Sequence, residues 1–385
     1  LTLSHHSQPI YHLYCTPILM VNNIHQSLIR HVKSKVYPLI SFKQRHNAIY
    51  KPEQILDALT YIAMTNDFTT NGTKTLKLLK NKCPHQTTIW YNIKKLSIDE
   101  IKLQFEAVFD RIFREAKQKR VFAKPVDIAI DITEWLFYGD ENTPMVCRSK
   151  HKQGTDKAYK FATLNIVEAG RRFTLAVVPV SPFDTLEQVL EKLIQIAKSK
   201  VKIRLAYMDR AFFNVACISK LEELGVHYLI LAVQNERIKR IVEENEAGSV
   251  IRYRMRSTSA RKGLLKKEVE FNLLVVRSNR DVEKKVTFAT NISIEGKYAQ
   301  EFCDNYSKRW GIETSYRVKE EFRIKTVSRD FRIRLFFFLF SVCLYNLWVL
   351  VNLVVCLATK IGFGKPIITA KLFGTLLHTF QIDYG

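Results

Sequence analysis

Residues Val126–Gly139 read VDIAIDITEWLFYG. Ile128, Ile130 and Ile132 alternate with Asp127, Ala129, Asp131 and Thr133, the two-residue period of a β-strand whose faces meet different surroundings. An aspartate inside such a strand is costly to bury unless a base, a hydrogen bond or a cation compensates it. Downstream lie a basic loop, RSKHKQGTDK (148–157), and the strands AYKFATLNIVE (158–168) and RRFTLAVVPV (171–180). A helix from about Thr185 to Lys200, the strand VKIRLAYM (201–208), a helix around Ala211–Leu224 and the strand VHYLILAV (226–233) follow. Three strands in succession, then alternating helix and strand, predict an α/β fold with a mixed sheet covered by helices on both faces.

On either side of this block the pattern changes. Residues 235–292 are β-rich, with VIRYRMRS, KKEVEFNLLVVRS and KKVTFATNI setting Arg and Lys against apolar residues, as in a half-exposed antiparallel sheet. A helical pattern resumes near Tyr298 and runs through Glu321. Upstream, residues 1–51 hold no acidic residue and read as a basic arm. Residues 52–124 read as short helices broken at Asn71-Gly72 and Pro84; the helix carrying Tyr91, Asn92, Lys94 and Lys95 suggests a helix-turn-helix.

The 385 residues carry 60 Lys+Arg against 37 Asp+Glu, a net charge of +23, which makes nucleic acid the first partner to consider and an anionic membrane the second. With 47% hydrophobic residues the chain can bury substantial cores, which excludes a disordered polymer. Its length suggests two or three domains. Seven scattered cysteines form no Cys-x-x-Cys pair, and no secretory signal pattern is present, so a reducing, cytoplasmic setting is expected. The uncharged run Leu335–Ala358 is long enough to cross a bilayer, yet Ser341, Asn346 and Asn352 within it favour the central helix of a soluble core over an anchor. Residues 359–385 read as a C-terminal tail.

Three carboxylates stand out: Asp131, Asp209 at the end of an apolar strand, and Glu313 on the late helix. Each alone could merely cap a helix or pair with a base. Together, DIAIDITEWLFYGD around Asp131, YMDRAFFN around Asp209 and YSKRWGIETSYRVKEEFR around Glu313 resemble the DDE transposases of insertion sequences marked by a Tyr-x2-Arg-x3-Glu-x6-Lys signature. Tyr306, Arg309 and Glu313 reproduce its first three members, and the resemblance spans residues 52–358. It implies an RNase H-like catalytic domain over 125–234 and 293–358, interrupted by the β-rich insertion 235–292, and two Mg²⁺ (or Mn²⁺) ions held by Asp131, Asp209 and Glu313, with Asp127 in reserve. Hard oxygen ligands suit these ions, and two of them serve both ends of an in-line phosphodiester displacement.

The resemblance further implies a DNA transposase that cleaves at its element's inverted repeats and joins 3′-hydroxyls to target DNA as a homodimer, with neither a membrane nor a small-molecule substrate. A catalytically inactive, domesticated DNA-binding relative is the alternative. The signature lysine is displaced: its position holds Glu320, and Lys319 lies one residue early. At about 100° per residue Arg317 shares the stripe of Arg309 and Glu313 and is the substitute cation. Tyr306, Arg309, Arg317, Lys319, Lys94, Lys95, Arg148, Lys150 and Lys152 are the candidate DNA contacts, and Trp310 or Phe212 could stack on an unpaired base.

Overall fold

The computed structural model describes residues 26–80, 82–257, 268–279, 281, 283–360 and 362–383. Pro52, whose missing N–H needs no partner in a first turn, opens helix α1 (Pro52–Met64); α2 (Thr69–Leu79), α3 (Gln86–Lys94) and α4 (Ile98–Gln118) follow. Ser97 and Glu100 cap α4 reciprocally, the Ser97 Oγ accepting from the Glu100 N–H at 3.1 Å and Glu100 Oε2 from the Ser97 N–H at 2.8 Å. The break expected at Asn71-Gly72 falls inside α2; the turn is at Asn66, which takes a left-handed φ of 50°. Gly72 is there for contact, since a Cβ would sit 2.6 Å from Ile62 Cγ1.

The first half of the expected basic arm lies outside the described residues, and its second half is no arm. Leu28, Val32, Val36, Tyr37, Ile40 and Phe42 join the main core, Tyr37 Oη bonds Thr60 Oγ1 at 2.8 Å, and Lys33 pairs with Glu53 at 2.8 Å. Apolar residues spaced between those lysines outweigh the local charge.

The sheet contains β1 (Val126–Leu136), β2 (Cys147–Lys152), β3 (Thr155–Ile166), β4 (Thr174–Val180), β5 (Ile203–Met208), β6 (Tyr228–Leu231), β7 (Ser249–Arg256), β8 (Glu268–Arg277) and β9 (Lys285–Thr290). Its order is β2-β3-β1-β5-β6-β9-β8-β7, with β4 also paired to β3. β1 runs antiparallel to β3 and parallel to β5, as the three-strands-then-alternation reading requires. Helices α5 (Leu186–Lys198) and α6 (Val215–Glu223) make the crossovers, and α7 (Glu236–Glu244) precedes β7. The basic stretch 148–157 is a hairpin rather than a loop: β2 turns into β3 through Gln153 and Gly154, with φ of 46° and 81°. The insertion extends the same sheet, β9 pairing antiparallel with β6. Its arginines face acids across the ladder, Arg254 Nε meeting Glu270 Oε1 at 2.7 Å and Arg256 Nε meeting Glu268 Oε2 at 3.0 Å. Cross-strand charge pairing thus occupies side chains that alternation alone would assign to phosphates.

The late helical stretch is in fact two helices, α8 (Gly296–Asp304) and α9 (Trp310–Glu321), joined by the 3₁₀ turn Asn305–Arg309. Then come α10 (Phe331–Thr359) and, where a tail was expected, α11 (Ala370–Asp383), whose Phe373 packs against Phe322 with ring centroids 5.7 Å apart. The uncharged run is α10, and it is a core helix. Phe338 stacks on Phe161 of β3 at 4.1 Å, while Phe336 meets Phe105 of α4 edge-on at 5.0 Å. Its polar residues are used: Asn346 Oδ1 accepts from the Thr174 N–H at 2.9 Å and its Nδ2 donates to the Thr174 carbonyl at 3.0 Å. Asn352 does the same for Ile368, at 2.9 and 3.0 Å.

Asn346→Leu would strip two buried backbone groups of their partners while making α10 more apolar. Urea denaturation should show a loss of about 2–3 kcal/mol; an unchanged midpoint would argue for a lipid-facing helix.

Candidate active site

Parallel pairing places the first two carboxylates together. Ile130 of β1 is in register with Met208 of β5, so Asp131 and Asp209, each the next residue, lie on adjacent strands about 4.8 Å apart. β5 ends there, and Asp209 caps the following 3₁₀ turn, its Oδ1 accepting from the Ala211 N–H at 3.0 Å. Asp131 Oδ1 accepts from the Ile132 N–H at 2.9 Å. The carboxyl ends of parallel strands open into a crevice. Here a cleft of about 780 Å³ is lined by Asp131, Asp209 and Tyr316 on one side and Arg148, Lys150 and Lys152 on the other. A second cleft, of about 470 Å³, also reaches Asp209 and is bounded by Phe288, Tyr306, Arg309 and Trp310.

The third carboxylate arrives on α9. Residues three apart in a 3₁₀ turn eclipse one another, so Tyr306 and Arg309 share a face, with the guanidinium 5.6 Å from the ring. Arg309 Nη2 binds Glu313 Oε1 at 2.7 Å, while its buried Nε has no partner. Tyr306 donates to the Met208 carbonyl at 3.0 Å and so braces the strand end that bears Asp209. Burial pushes the Asp131 carboxyl up to about 6; Asp209 and Glu313 add to this, and the Ile132 N–H and Arg309 oppose it.

The placing of Asp131 beside Asp209 on adjacent strands is what fits a cation. A buried acid next to two others is poorly compensated by the protein alone, and three carboxylates without sulfur or imidazole suit a hard divalent ion. As placed, with Glu313 drawn to Arg309, no group of three ligand-type side chains among the described residues is close enough to hold one.

The remaining candidates separate by burial. Asp127 is fully buried and compensated, bound by Arg204, by Lys308 Nζ at 3.3 Å and by Tyr207 Oη at 3.3 Å, so the reserve acid is structural. Lys319 is a correction: it is 3% exposed, with Nζ 3.2 Å from both Asn165 Oδ1 and Ser315 Oγ, and cannot reach a phosphate from there. Burial pushes its ammonium down to about 7. Arg317 is exposed on the opposite face of α9, whereas Phe212 is buried and leaves Trp310, 48% exposed, as the available ring. Lys94 is exposed; Lys95 lies over the Tyr91 ring at 4.1 Å, and Asn92 is buried, which removes it as a base reader. Arg148, Lys150 and Lys152 are exposed on the hairpin, Lys152 pairing with Glu134 at 3.0 Å.

Tyr316, Thr163 and Asn165 were not legible as site residues. Tyr316 Oη bonds the Asp131 carbonyl at 3.2 Å and Thr163 Oγ1 at 2.7 Å. The signal available was the polar pair Thr163 and Asn165 in the otherwise apolar second half of the strand, FATLNI (161–166).

A mixed sheet with helices on both faces, carrying acids side by side on adjacent parallel strands and a glutamate on a returning helix, defines the class of DDE phosphodiester-transfer enzymes. Residues 123–347 match the family model described as Transposase DDE domain, and the chain belongs to that family. It is a DDE-type transposase; such enzymes act on DNA and generally use divalent metals. A piggyBac transposase synaptic complex with hairpin DNA, solved by cryo-EM, shares the fold with a TM-score of 0.56 and 13% identity, covering 95% of this chain and 80% of that one. The Mos1 mariner paired-end complex with Mn aligns at 10% identity over 53% of this chain and 65% of that one, with a TM-score of 0.18 that supports no argument. No curated protein matches the sequence.

Asp131 titrates higher folded than unfolded, so its ionisation destabilises the metal-free fold as pH rises through about 6 and costs nothing below about 4. Asp131→Asn should therefore stabilise the metal-free protein by about 2 kcal/mol at pH 8 and by far less at pH 4.5, measured by urea denaturation. Equal effects at both values would contradict the burial argument.

Proposed function

We propose that this transposase binds the terminal inverted repeats of an insertion sequence, cleaves the phosphodiester at the repeat boundary, and transfers the freed 3′-hydroxyls to target DNA. The observation that carries this reading is the register of β1 and β5, which sets Asp131 beside Asp209 under the helix bearing Glu313. Asp131, Asp209 and Glu313 are the residues that would hold two Mg²⁺ or Mn²⁺ ions. Bound there, the ions would activate the attacking water or 3′-hydroxyl and stabilise the departing oxygen.

The chain's own residues supply the rest. Arg309 holds Glu313 and lines the smaller cleft, where its guanidinium is assigned a phosphate oxygen. Tyr306 positions the end of β5 rather than gripping DNA. Arg148, Lys150 and Lys152 line the larger cleft and track the backbone, and Arg317, exposed on α9, is assigned a further phosphate. Residues 52–124 form the DNA-end-binding region: between Asp67 and Asp99 there is no acidic residue, while Lys74, Lys77, Lys82 and Lys94 are exposed and Lys95 is half-buried. The catalytic region comprises 125–234 and 293–358, with 235–292 as its sheet extension. Two copies are assigned to one complex, which keeps both element ends together, in a cytoplasmic, nucleoid-associated setting.

The test is strand cleavage of a labelled duplex carrying the inverted repeat read from DNA flanking the gene, with Mg²⁺ or Mn²⁺. Metal-dependent cutting at the boundary should disappear, by at least about a thousandfold, in Asp209→Ala. Tight binding without cutting by the unsubstituted protein would refute the catalytic assignment.

A further inference from the structure

Lys319 is the most deeply buried cation near the site, and its surroundings are ordered in one direction. An ammonium can only donate, so Asn165 presents its Oδ1 to Lys319 Nζ, at 3.2 Å, and to the Thr174 hydroxyl at 2.5 Å. The amide nitrogen of Asn165 must then face the other way, and it donates to Thr163 Oγ1 at 3.0 Å. Tyr316 spends its single hydroxyl proton on the Asp131 carbonyl at 3.2 Å, so the Thr163 hydroxyl donates to Tyr316 Oη at 2.7 Å. Every link from Lys319 to the Asp131 backbone therefore points the same way, and each bond polarises the next. Thr163 is also the β3 residue in register with Asp131, so the chain of bonds runs alongside the strand pairing that holds the carboxylate.

The lysine has no room for another task. Its ammonium lies 4.9 Å from the rings of both Tyr316 and Tyr345, donates also to Ser315 Oγ at 3.2 Å, and is 3% exposed. Burying an ammonium is costly, and a methionine would fill the same space more cheaply.

We propose that Lys319 is a positioning residue for the metal-binding carboxylate: through Asn165, Thr163 and Tyr316 it sets the orientation of the donor that pins the Asp131 backbone. The inference rests on the assignment of Asp131 as a metal ligand. It gives the displaced lysine of the signature a role beneath the site in place of a contact with DNA.

The test is a double-mutant cycle in Mn²⁺ affinity, followed by electron paramagnetic resonance of free Mn²⁺ with the full-length protein and no DNA. Tyr316→Phe removes the terminal hydroxyl, both the donor to the Asp131 carbonyl and the acceptor of the Thr163 proton, and should weaken Mn²⁺ binding by about tenfold when Lys319 is present. In the Lys319→Met background the same change should cost less than about twofold, because the donor there has already lost its set orientation. Relief of repulsion between the lysine and the metal is common to both arms of the second background and cancels in the cycle. Equal effects of Tyr316→Phe in the two backgrounds overturn the proposal while leaving the metal site intact. Absence of Mn²⁺ binding by the unsubstituted protein overturns the metal assignment and the proposal with it. If Lys319→Met does not fold, Asn165→Asp serves as the second lysine-side variant, since it deletes the donor to Thr163 while keeping the acceptor for Lys319.

Discussion

Strand β1 is hydrogen-bonded along both edges, antiparallel to β3 and parallel to β5, and the chemistry of the protein depends on that double pairing. The parallel partner brings Asp209 beside Asp131; the antiparallel partner brings Thr163, and through it Tyr316. A slip of one residue on either side would turn the affected side chains to the opposite face of the sheet. Register is secured by burial, since Val126, Ile128, Ala129 and Ile130 are all inaccessible, and by Asp127, whose carboxylate is tied to Arg204 of β5 and to Lys308. A buried ion pair of this kind adds little net stability, but it penalises any pairing that leaves the acid alone.

The net charge of +23 is distributed unevenly in function. On the insertion, Glu268 and Glu270 pair with Arg252, Arg254 and Arg256, so part of the positive charge there is answered within the sheet. In the segment between Asp67 and Asp99 no acid is available to answer the lysines, and the surplus faces solvent. Long-range attraction to a polyanion depends on the unanswered charges, which are those that release counterions when they meet phosphates. Composition therefore pointed to a polyanionic partner, and pairing separates the charges that are answered from those that are not.

Helix α10 shows how one chemical pattern serves two environments. A run of 24 uncharged residues satisfies the length of a bilayer, yet nearly the whole helix is covered by protein, with aromatic side chains engaging β3 and α4. Asn346 and Asn352 each complete the backbone bonds of one distant residue, Thr174 and Ile368, groups that would otherwise be buried without partners. The helix is thus the common floor for the sheet, for the N-terminal helices and for α9 with its glutamate.

The sequence by itself determined the α/β class, the antiparallel-then-parallel sheet and the helical N-terminal region, and it singled out three carboxylates as candidates, because strand alternation, helix capping and the spacing around Glu313 are local properties. It misplaced the break at Asn71-Gly72, read a hairpin as a loop and the docked segment after residue 26 as part of an arm. In each case a contact with a distant element, such as Gly72 against Ile62, decided what local composition could not. Only the tertiary structure decided which charges are free and which are spent. Asp127 and Asp131 sit four residues apart on the same strand with identical chemistry; Arg204 and Lys308 neutralise the first, while the second is left beside Asp209 and near Glu313. Lys319 and Arg317 differ by two positions on one helix, and the side on which α9 lies against the sheet makes one a buried anchor and the other a surface cation. Burial and pairing are properties of the assembled neighbourhood, brought together from residues as far apart in the chain as Asp127 and Lys308, and no window of sequence contains them.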